Sequence, residues 1–275
     1  MNPGVCLRAG ISLALVGILS AGCDVSVKDG NVSFDLISGK AVDESTRTYS
    51  IAPEGTIEIE NRNGSIEVTS AEGPQLEVVI SRQAEARSDE AAQALLKQIE
   101  IQEEAGPSRV RLATRAPGDS STRVNYTVRA PKSLSTIIKT ENGRVVVTGM
   151  AGLVQAAGSN GPVVGKGLTG EVRANTINGP VRMELTSVGG DVSLATVNGP
   201  VHLALPATAK ADLSARSLNG RVATSGLTLE RLDQKSNREM DARLNGGGPR
   251  VHLETTNGPI FIGNSSDRGD VEKWS

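Results

Sequence analysis

The sequence predicts a mainly β protein, a β-solenoid or β-helix-like stack of short strands with Asn-Gly turns and one short helix near residues 88–100. The first observation is compositional: glycine is abundant at 31 residues, while aromatic side chains make up only 2% of the chain. The second is a repeated Asn-Gly pair, and the third is an alternation of apolar and polar residues after each pair. Together they are typical of short strands joined by tight turns.

The repeat is visible in the positions of the Asn-Gly pairs. Eight pairs are far more than 15 Asn and 31 Gly give by chance over 275 residues. They begin at Asn63, Asn142, Asn160, Asn178, Asn198, Asn219, Asn245 and Asn257. From Asn142 the spacings are 18, 18, 20 and 21, and Asn219 to Asn257 spans 38 residues, close to two further periods. A fixed period of this length is the signature of a repeat architecture.

Each pair is followed by a short alternating run, as in Val181–Leu185, Val201–Leu205 and Ile260–Ile262. Weaker copies half a period away begin at Gly170 and Gly190. Because alternate residues of a strand face opposite sides, one side of each run is expected to be buried. The predicted core positions are Val181, Met183, Leu185, Val201, Leu203 and Leu205, and the predicted outward positions are Arg182, Glu184 and His202.

Two architectures fit this pattern. Asn-Gly is the strongest signal for a two-residue hairpin, which would give an antiparallel meander. A coiled chain would instead stack equivalent strands in parallel and place identical corners on top of one another. The second arrangement explains why residues resemble each other at a period near 19 rather than only at every tenth residue, so we favour the solenoid.

The first half of the chain has a different sequence pattern, which predicts five further strands and one helix. The runs are Thr56–Glu60, Ser65–Thr69, Leu76–Ile80, Val110–Thr114 and Arg123–Arg129. Ser88 is a good helix N-cap, and Asp89 and Glu90 suit the positive end of the helix dipole. Ala92, Leu95, Leu96 and Ile99 give a narrow apolar face, and Gly106-Pro107 is expected to end the segment.

Residues 1–22 read as a signal peptide. One positive charge, Arg8, precedes an uncharged apolar run from Ile11 to Leu19, which has the length of a signal-peptide core. The small residues after this run lead to Cys23, and the segment resembles the lipobox of bacterial lipoproteins. That resemblance implies that Cys23 carries lipid and becomes the mature N-terminus, while Cys6 is removed with the leader.

The remaining chain divides into three predicted regions. Residues 23–45 are expected to form a lipidated N-terminus and tether with one strand, Asn31 to Ile37. Residues 46–263 form the β domain, with the repeats clearest over 140–263, and residues 264–275 form a polar tail. We expect the helix and the tail to shield the ends of the stack, since an open stack needs capping.

A bacterial family carries the same succession of motifs over most of the chain, from about Thr48 to Gly263. The motifs are Ile57–Val68, Val124–Pro131, the Asn142-Gly143 repeat and the segment Asn245–Gly258. Their order and spacing resemble the domain-of-unknown-function family named "putative adhesin", which is carried on envelope proteins and lipoproteins. The resemblance implies a β-solenoid-like fold and brings no catalytic residues with it.

Composition and charge argue against several classes of function. The 29 Lys and Arg nearly balance the 31 Asp and Glu, so the chain lacks the excess positive charge of a nucleic-acid binder. Two Cys and two His are too few for a zinc site or a disulfide framework, so no metal and no cofactor are expected. His202 and His252 share a Val-His-Leu frame in which Arg182 takes the equivalent place, which indicates solvated surface rather than a catalytic residue.

The sequence thus predicts a non-enzymatic lipoprotein of the bacterial cell envelope that is anchored to one of the membranes by lipid and serves as a structural or binding surface. Its candidate partners are an envelope polymer or a protein. Arg173, Arg182, His202 and His252 are the candidate contacts for an anionic polymer such as lipopolysaccharide or teichoic acid. A partner-binding module in envelope-stress signalling and a carbohydrate-active β-helix enzyme are the alternatives. The enzyme would need acidic residues clustered on one face.

Overall fold

The computed structural model describes residues 23–28, 31–36, 39–117 and 121–265, with only the backbone described before residue 39. The predicted signal peptide, residues 1–22, and all but the first two residues of the predicted tail lie outside these ranges. Within them, β1 (Cys23–Lys28) and β2 (Asn31–Leu36) form an antiparallel hairpin. No helix in the described part of the chain is long and apolar enough to cross a membrane.

The rest of the chain builds two large sheets that enclose one core. The first sheet has eleven strands: β4 (Thr56–Asn63), β7 (Glu100–Ala105), β8 (Arg109–Arg115), β10 (Ser135–Asn142), β12 (Val154–Asn160), β14 (Val172–Asn178), β16 (Val192–Asn198), β18 (Ala211–Ser217), β20 (Leu229–Ser236), β21 (Glu239–Leu244) and β22 (Arg250–Asn257). The second has ten: β3 (Gly39–Ser50), β5 (Ile66–Ala71), β6 (Gln75–Ala86), β9 (Thr122–Pro131), β11 (Val145–Thr148), β13 (Val163–Leu168), β15 (Val181–Leu185), β17 (Val201–Leu205), β19 (Val222–Ser225) and β23 (Ile260–Asn264).

Each repeat contributes one strand to each sheet, and we call such a consecutive pair, for example β14 and β15, a rung. Every strand of a rung pairs in parallel with its counterpart one repeat away, so that Val172 lies beside Val192 and Val181 beside Val201. The half-period copies form the first-sheet strand, and the run after Asn-Gly forms the second-sheet strand. Parallel pairing of equivalent strands excludes the meander for the repeats between residues 135 and 205.

The order of rungs in the stack departs from the order of the chain at the C-terminal end. The rung of β22 and β23 pairs with β16 and β17, and the earlier rung of β18 and β19 lies outside it. The 38 residues between Asn219 and Asn257 are therefore not two further stacked periods. They contain β20 and β21, which pair antiparallel with each other and extend the first sheet beyond β18.

Antiparallel strands and the helix cover the other end of the stack. The outermost rung is β8 and β9, followed by β7 on the first sheet and by β6 and β3 on the second. Strand β3 pairs with β6 along its whole length, so the second sheet begins at Gly39. The five strand-like runs predicted in this half all form strands, namely β4, β5, β6, β8 and β9.

Helix α1 (Asp89–Leu96) is shorter than the expected segment. Ser88 caps it as predicted, since its hydroxyl accepts a hydrogen bond from the Ala91 N–H at 3.2 Å. The prediction that this segment runs on to Gly106-Pro107 is wrong, because residues 100–105 form β7, which pairs antiparallel with β8. That pairing satisfies the backbone of β7 and overrides local helix propensity.

The predicted core is confirmed at the repeats. Val181, Met183, Leu185, Val201, Leu203 and Leu205 all lie in one continuous cluster of buried apolar side chains between the two sheets. The cluster extends to the outermost rung, where Tyr126 is fully buried and its hydroxyl lies 2.7 Å from the Thr114 hydroxyl. Burial raises the pKa of Tyr126 to about 12.

The Asn-Gly corners stack into a ladder of side-chain amides. Each Asn after the first donates from Nδ2 to the Oδ1 of the Asn on the preceding rung of the stack, at 2.7–2.9 Å in six consecutive pairs. The ladder runs in the order Asn63, Asn142, Asn160, Asn178, Asn198, Asn257 and Asn219. The eighth Asn, Asn245, lies outside it and donates to the carbonyls of Ala207 and Ala209. A hydrogen-bonded ladder explains why Asn recurs at each of the stacked corners.

A row of hydroxyls runs beside this ladder on the inner face of the first sheet. Thr176 donates to the carbonyl of Gly161 on the preceding rung at 3.2 Å, and Thr196 and Thr255 repeat the contact with Gly179 and Gly199 at 2.9 Å. Gly158 takes the equivalent position in its rung, beside Thr140. The carbonyl of Gly143 therefore lacks the hydroxyl donor that the later corners receive.

We expect Gly158→Thr to raise the free energy of unfolding by about 0.5–1.5 kcal/mol. A Cβ at this position lies 3.4 Å from Thr176 Oγ1, an ordinary contact. By equivalence with Thr176, which donates to the Gly161 carbonyl, the new hydroxyl is expected to donate to the Gly143 carbonyl. Urea unfolding measures the change. Gly158→Val, which has the same shape without the hydroxyl, should give only part of the gain. A Thr variant no more stable than the Val variant would contradict the hydroxyl's role.

Candidate binding surface

A cleft of about 680 Å³ opens on the outer face of the first sheet, across β8, β4, β10, β12 and β14. Its floor consists of the short side chains of Ala157 and Ser159 on β12. The register places Ala157 between Lys139 and Asn175, both of which have longer side chains. The cleft therefore exists because one strand of the sheet carries small residues between neighbours that carry large ones.

Charged side chains line one wall of the cleft in opposite-sign pairs. Lys139 Nζ lies 3.2 Å from Glu60 Oε1, and Arg62 Nε donates to Glu141 Oε2 at 3.1 Å. Arg115 adds a third cation, and its Nε donates to Gln102 at 3.1 Å. The opposite wall carries Asn175 and Ile177, whose side chain is 48% exposed. The cleft thus presents cations, carboxylates, amides and one apolar side chain to solvent.

The carboxylates at this wall belong to a wider charge network that fixes their positions. Glu58 is only 6% exposed and forms an ion pair with Arg109. Arg111 Nη2 donates to Glu60 Oε2 at 2.8 Å, and its Nη1 donates to Glu104 at 3.1 Å. Burial alone would raise the pKa of Glu60, but hydrogen bonds from Lys139 and Arg111 outweigh it and hold the pKa below its usual value. Glu60 is therefore a fixed anion at neutral pH.

Solved structures of bacterial proteins resemble this arrangement of sheets. A protein of Clostridium sporogenes named "putative cell adhesion protein" is 13% identical, with a TM-score of 0.50 over 82% of this chain and 100% of that one. The chain shares the fold of that protein. A "putative adhesin" of Bacteroides fragilis is 12% identical, with a TM-score of 0.28 over 81% of this chain and 97% of that one. No family model and no curated protein matches the chain.

The four predicted basic contacts divide between the two sheets. Arg173 and His252 lie on the outer face of the first sheet, in one row with Ser193 between them. Each is beside a carboxylate, Glu171 for Arg173 and Glu254 for His252. Arg182 and His202 are neighbours on the outer face of the second sheet. The four residues therefore do not form one stripe.

The expectation that His202 is solvated surface is wrong. Its position faces away from the core as predicted, yet the residue is only 6% exposed and its ring lies 5.1 Å from that of Phe261. Burial, with a smaller contribution from the charge of Arg182, lowers the pKa of His202 to about 4. A neutral, buried imidazole is poorly suited to contact an anionic polymer. Arg182, which is half-buried, remains at the surface beside it.

Sequence reasoning missed the cleft, although a signal for its charged wall was present. Glu60 and Lys139 stand three residues before Asn63 and Asn142, and Arg62 and Glu141 stand one residue before them. Aligning the chain on the Asn-Gly corners places each acid beside a base, as the structure does. The described residues contain no group of three or more His, Cys, Asp or Glu side chains placed to hold a metal ion.

Proposed function

We propose that this chain is a non-enzymatic lipoprotein of the bacterial cell envelope, that its body is a two-sheet β-solenoid, and that the cleft binds an envelope polymer. The observation that carries the proposal is the cleft itself. It lies on a stack of parallel strands whose corners are cross-linked by amide hydrogen bonds, so its walls are held in place without a ligand. A rigid site loses little conformational freedom on binding.

The alternation of strands between the sheets supports the solenoid. From β10 to β17 the chain forms a strand of the first sheet, turns at an Asn-Gly corner and forms a strand of the second sheet. It then returns to the first sheet, where it forms the next strand beside the previous one. The same coiling relates β4 and β5 to β10 and β11, although residues 72–134 intervene in the chain. This is the connectivity of a coil with two strands per turn.

The lining of the cleft favours a polymer that bears hydroxyl and anionic groups. Arg62, Arg115 and Lys139 supply cationic donors, while Glu60, Glu141 and Asn175 supply acceptors for hydroxyls. The three cations exceed the two carboxylates, so the cleft suits a ligand with modest negative charge. Envelope glycans such as lipopolysaccharide and teichoic acid have this chemistry. The cleft thus replaces the four separate basic residues as the main candidate for polymer contact.

The test is to fill the cleft without altering the rest of the face. Ala157→Arg places a long side chain on the floor, and Ala195→Arg adds the same side chain at the register-equivalent position two strands away. Each protein is mixed with purified peptidoglycan, lipopolysaccharide or teichoic acid, and the bound fraction is measured by co-sedimentation. We expect Ala157→Arg to weaken binding by at least about tenfold, because a steric block removes the whole site.

Ala195→Arg serves as the matched control and should bind as the unaltered protein does. Equal binding by both variants would contradict the cleft as the site. If none of the three polymers binds the unaltered protein, the proposed class of ligand is wrong. The thermal midpoint of each variant is compared with that of the unaltered protein, so that loss of folding is not mistaken for loss of binding.

A further inference from the structure

Five of the seven stacked corners share a backbone hydrogen bond that joins them to the next rung. At Asn142, the side-chain amide donates to Asn63 and accepts from Asn160, both at 2.8 Å. The N–H of the following residue, Gly143, donates to the carbonyl of Asn160 at 2.9 Å. Gly64, Gly161, Gly179 and Gly199 make the same backbone contact with the next rung, also at 2.9 Å.

The last corner of the ladder, Asn219-Gly220, stacks as closely as the others but lacks this backbone contact. A Cβ added at Gly220 would overlap the carbonyl oxygen of Gly258, just as a Cβ at Gly143 would overlap that of Gly64. Asn219 donates to Asn257 at 2.9 Å, but it is the terminal rung and accepts no amide hydrogen bond from a further Asn of the ladder. Among the described residues, no backbone acceptor bonds the Gly220 N–H. Asn219 is exposed, and the neighbouring Leu218 is 62% exposed.

We propose that Asn219 is a site of spontaneous deamidation and that the ladder protects the stacked Asn residues behind it. The Gly220 nitrogen attacks Cγ of Asn219, so that an N–Cγ bond forms and the Cγ–Nδ2 bond breaks. Ammonia leaves with the proton from the Gly220 nitrogen, and a five-membered succinimide remains. Water then opens the ring at either carbonyl, which gives aspartate or isoaspartate.

Protection of the inner corners follows from the same chemistry. The attacking nitrogen must lose its proton and turn toward Cγ, and at Asn142 that proton is held by the Asn160 carbonyl. Breaking this bond and the hydrogen bond that Asn142 accepts from Asn160 is an added free-energy cost that Asn219 does not bear. We therefore expect Asn219 to react about tenfold or more faster than Asn142 in the folded protein.

The chain provides a matched internal comparison. Trypsin releases both sites in five-residue peptides with the same ending, Thr140-Glu141-Asn142-Gly143-Arg144 and Ser217-Leu218-Asn219-Gly220-Arg221. The full-length protein is incubated in mildly alkaline buffer with detergent, digested at intervals, and each peptide is assayed by mass spectrometry for replacement of the amide by a carboxyl. A parallel sample is incubated unfolded in concentrated urea, where the two sites should react at similar rates.

Faster loss of the Asn219 amide in the folded sample, with similar rates in urea, is the expected result. Equal rates in the folded sample, or faster reaction at Asn142, would overturn the proposal. A rate ratio in urea as large as that in the folded protein would also overturn it, because local sequence and not the ladder would then be responsible. Asn219→Gln should abolish the reaction of its peptide and leave that of Thr140–Arg144 unchanged.

Discussion

Gly161→Ala is expected to lower the free energy of unfolding by about 3–5 kcal/mol. Gly161 has φ +125°, a conformation that residues with a side chain avoid. A Cβ added there would also overlap the carbonyl oxygen of Gly143 and lie 2.8 Å from its carbonyl carbon. Both atoms belong to the backbone of the neighbouring rung, so neither can move without separating two paired strands. Urea unfolding followed by circular dichroism measures the loss.

Gly73→Ala separates the two contributions to that loss. Gly73 also has a positive φ of 96°, but a Cβ there meets nothing within 4 Å. We expect this variant to lose only about 1 kcal/mol, from backbone strain alone. If Gly161→Ala were no more damaging than Gly73→Ala, close approach of stacked corners would not be what restricts these positions to glycine.

Cys23→Ser is expected to release the protein from the membrane. An acyl chain contributes about 0.8 kcal/mol for each buried CH₂, so several chains on one residue form a stable anchor and their loss removes it. The measurement is membrane fractionation of cells, together with metabolic labelling by an alkyne fatty acid. The unaltered protein should be labelled and sediment with membranes, whereas Cys23→Ser should be unlabelled and appear in the soluble fraction.

Cys6→Ser provides the matched control, since Cys6 lies in the predicted signal peptide, which is cleaved from the mature protein. This variant should be labelled and sediment like the unaltered protein. Membrane association of an unlabelled Cys23→Ser protein would contradict the lipid anchor. Protease treatment of intact cells then reports which side of the envelope the β domain faces: digestion favours an outward binding role, and protection directs the search to periplasmic ligands.

The repeats were predictable because they satisfy two local requirements at once. Alternation at Val181, Met183 and Leu185 already identifies the buried face of a strand, and Asn-Gly identifies the corner before it. The helix was predictable at its start, where Ser88 acts as the cap, but not at its end. Residues 100–105 are similar in composition to the residues just before them, so the local sequence does not mark the end of the helix. They form a strand because they pair with the edge of β8.

The candidate site was less predictable because it depends on neighbours that are distant in the chain. Lys139 and Glu60 are separated by 79 residues, and their contact follows only when β10 is known to pair with β4. His202 shows the opposite problem. Its outward position was readable from alternation, but its burial depends on how the outer face of the second sheet is covered, for which a single strand carries no signal.

The sequence by itself determined the β character of this protein, the strand positions and buried faces of the repeats, and the recurring Asn-Gly corners, since each depends on contacts within a few residues. Only the tertiary structure decided the parallel stacking and the order of the last two rungs, in which β22 and β23 lie inside β18 and β19. It also decided the antiparallel strands at both ends of the stack and the cleft. The physical reason is that each strand could pair with several other strands whose local sequences are similar, so the local sequence alone does not select its partner. The rung of β22 and β23 lies beside β16 and β17, where Asn257 donates to Asn198 across 59 residues. The corner at Asn219 carries the same Asn-Gly pair, so the local sequence does not choose between the two rungs.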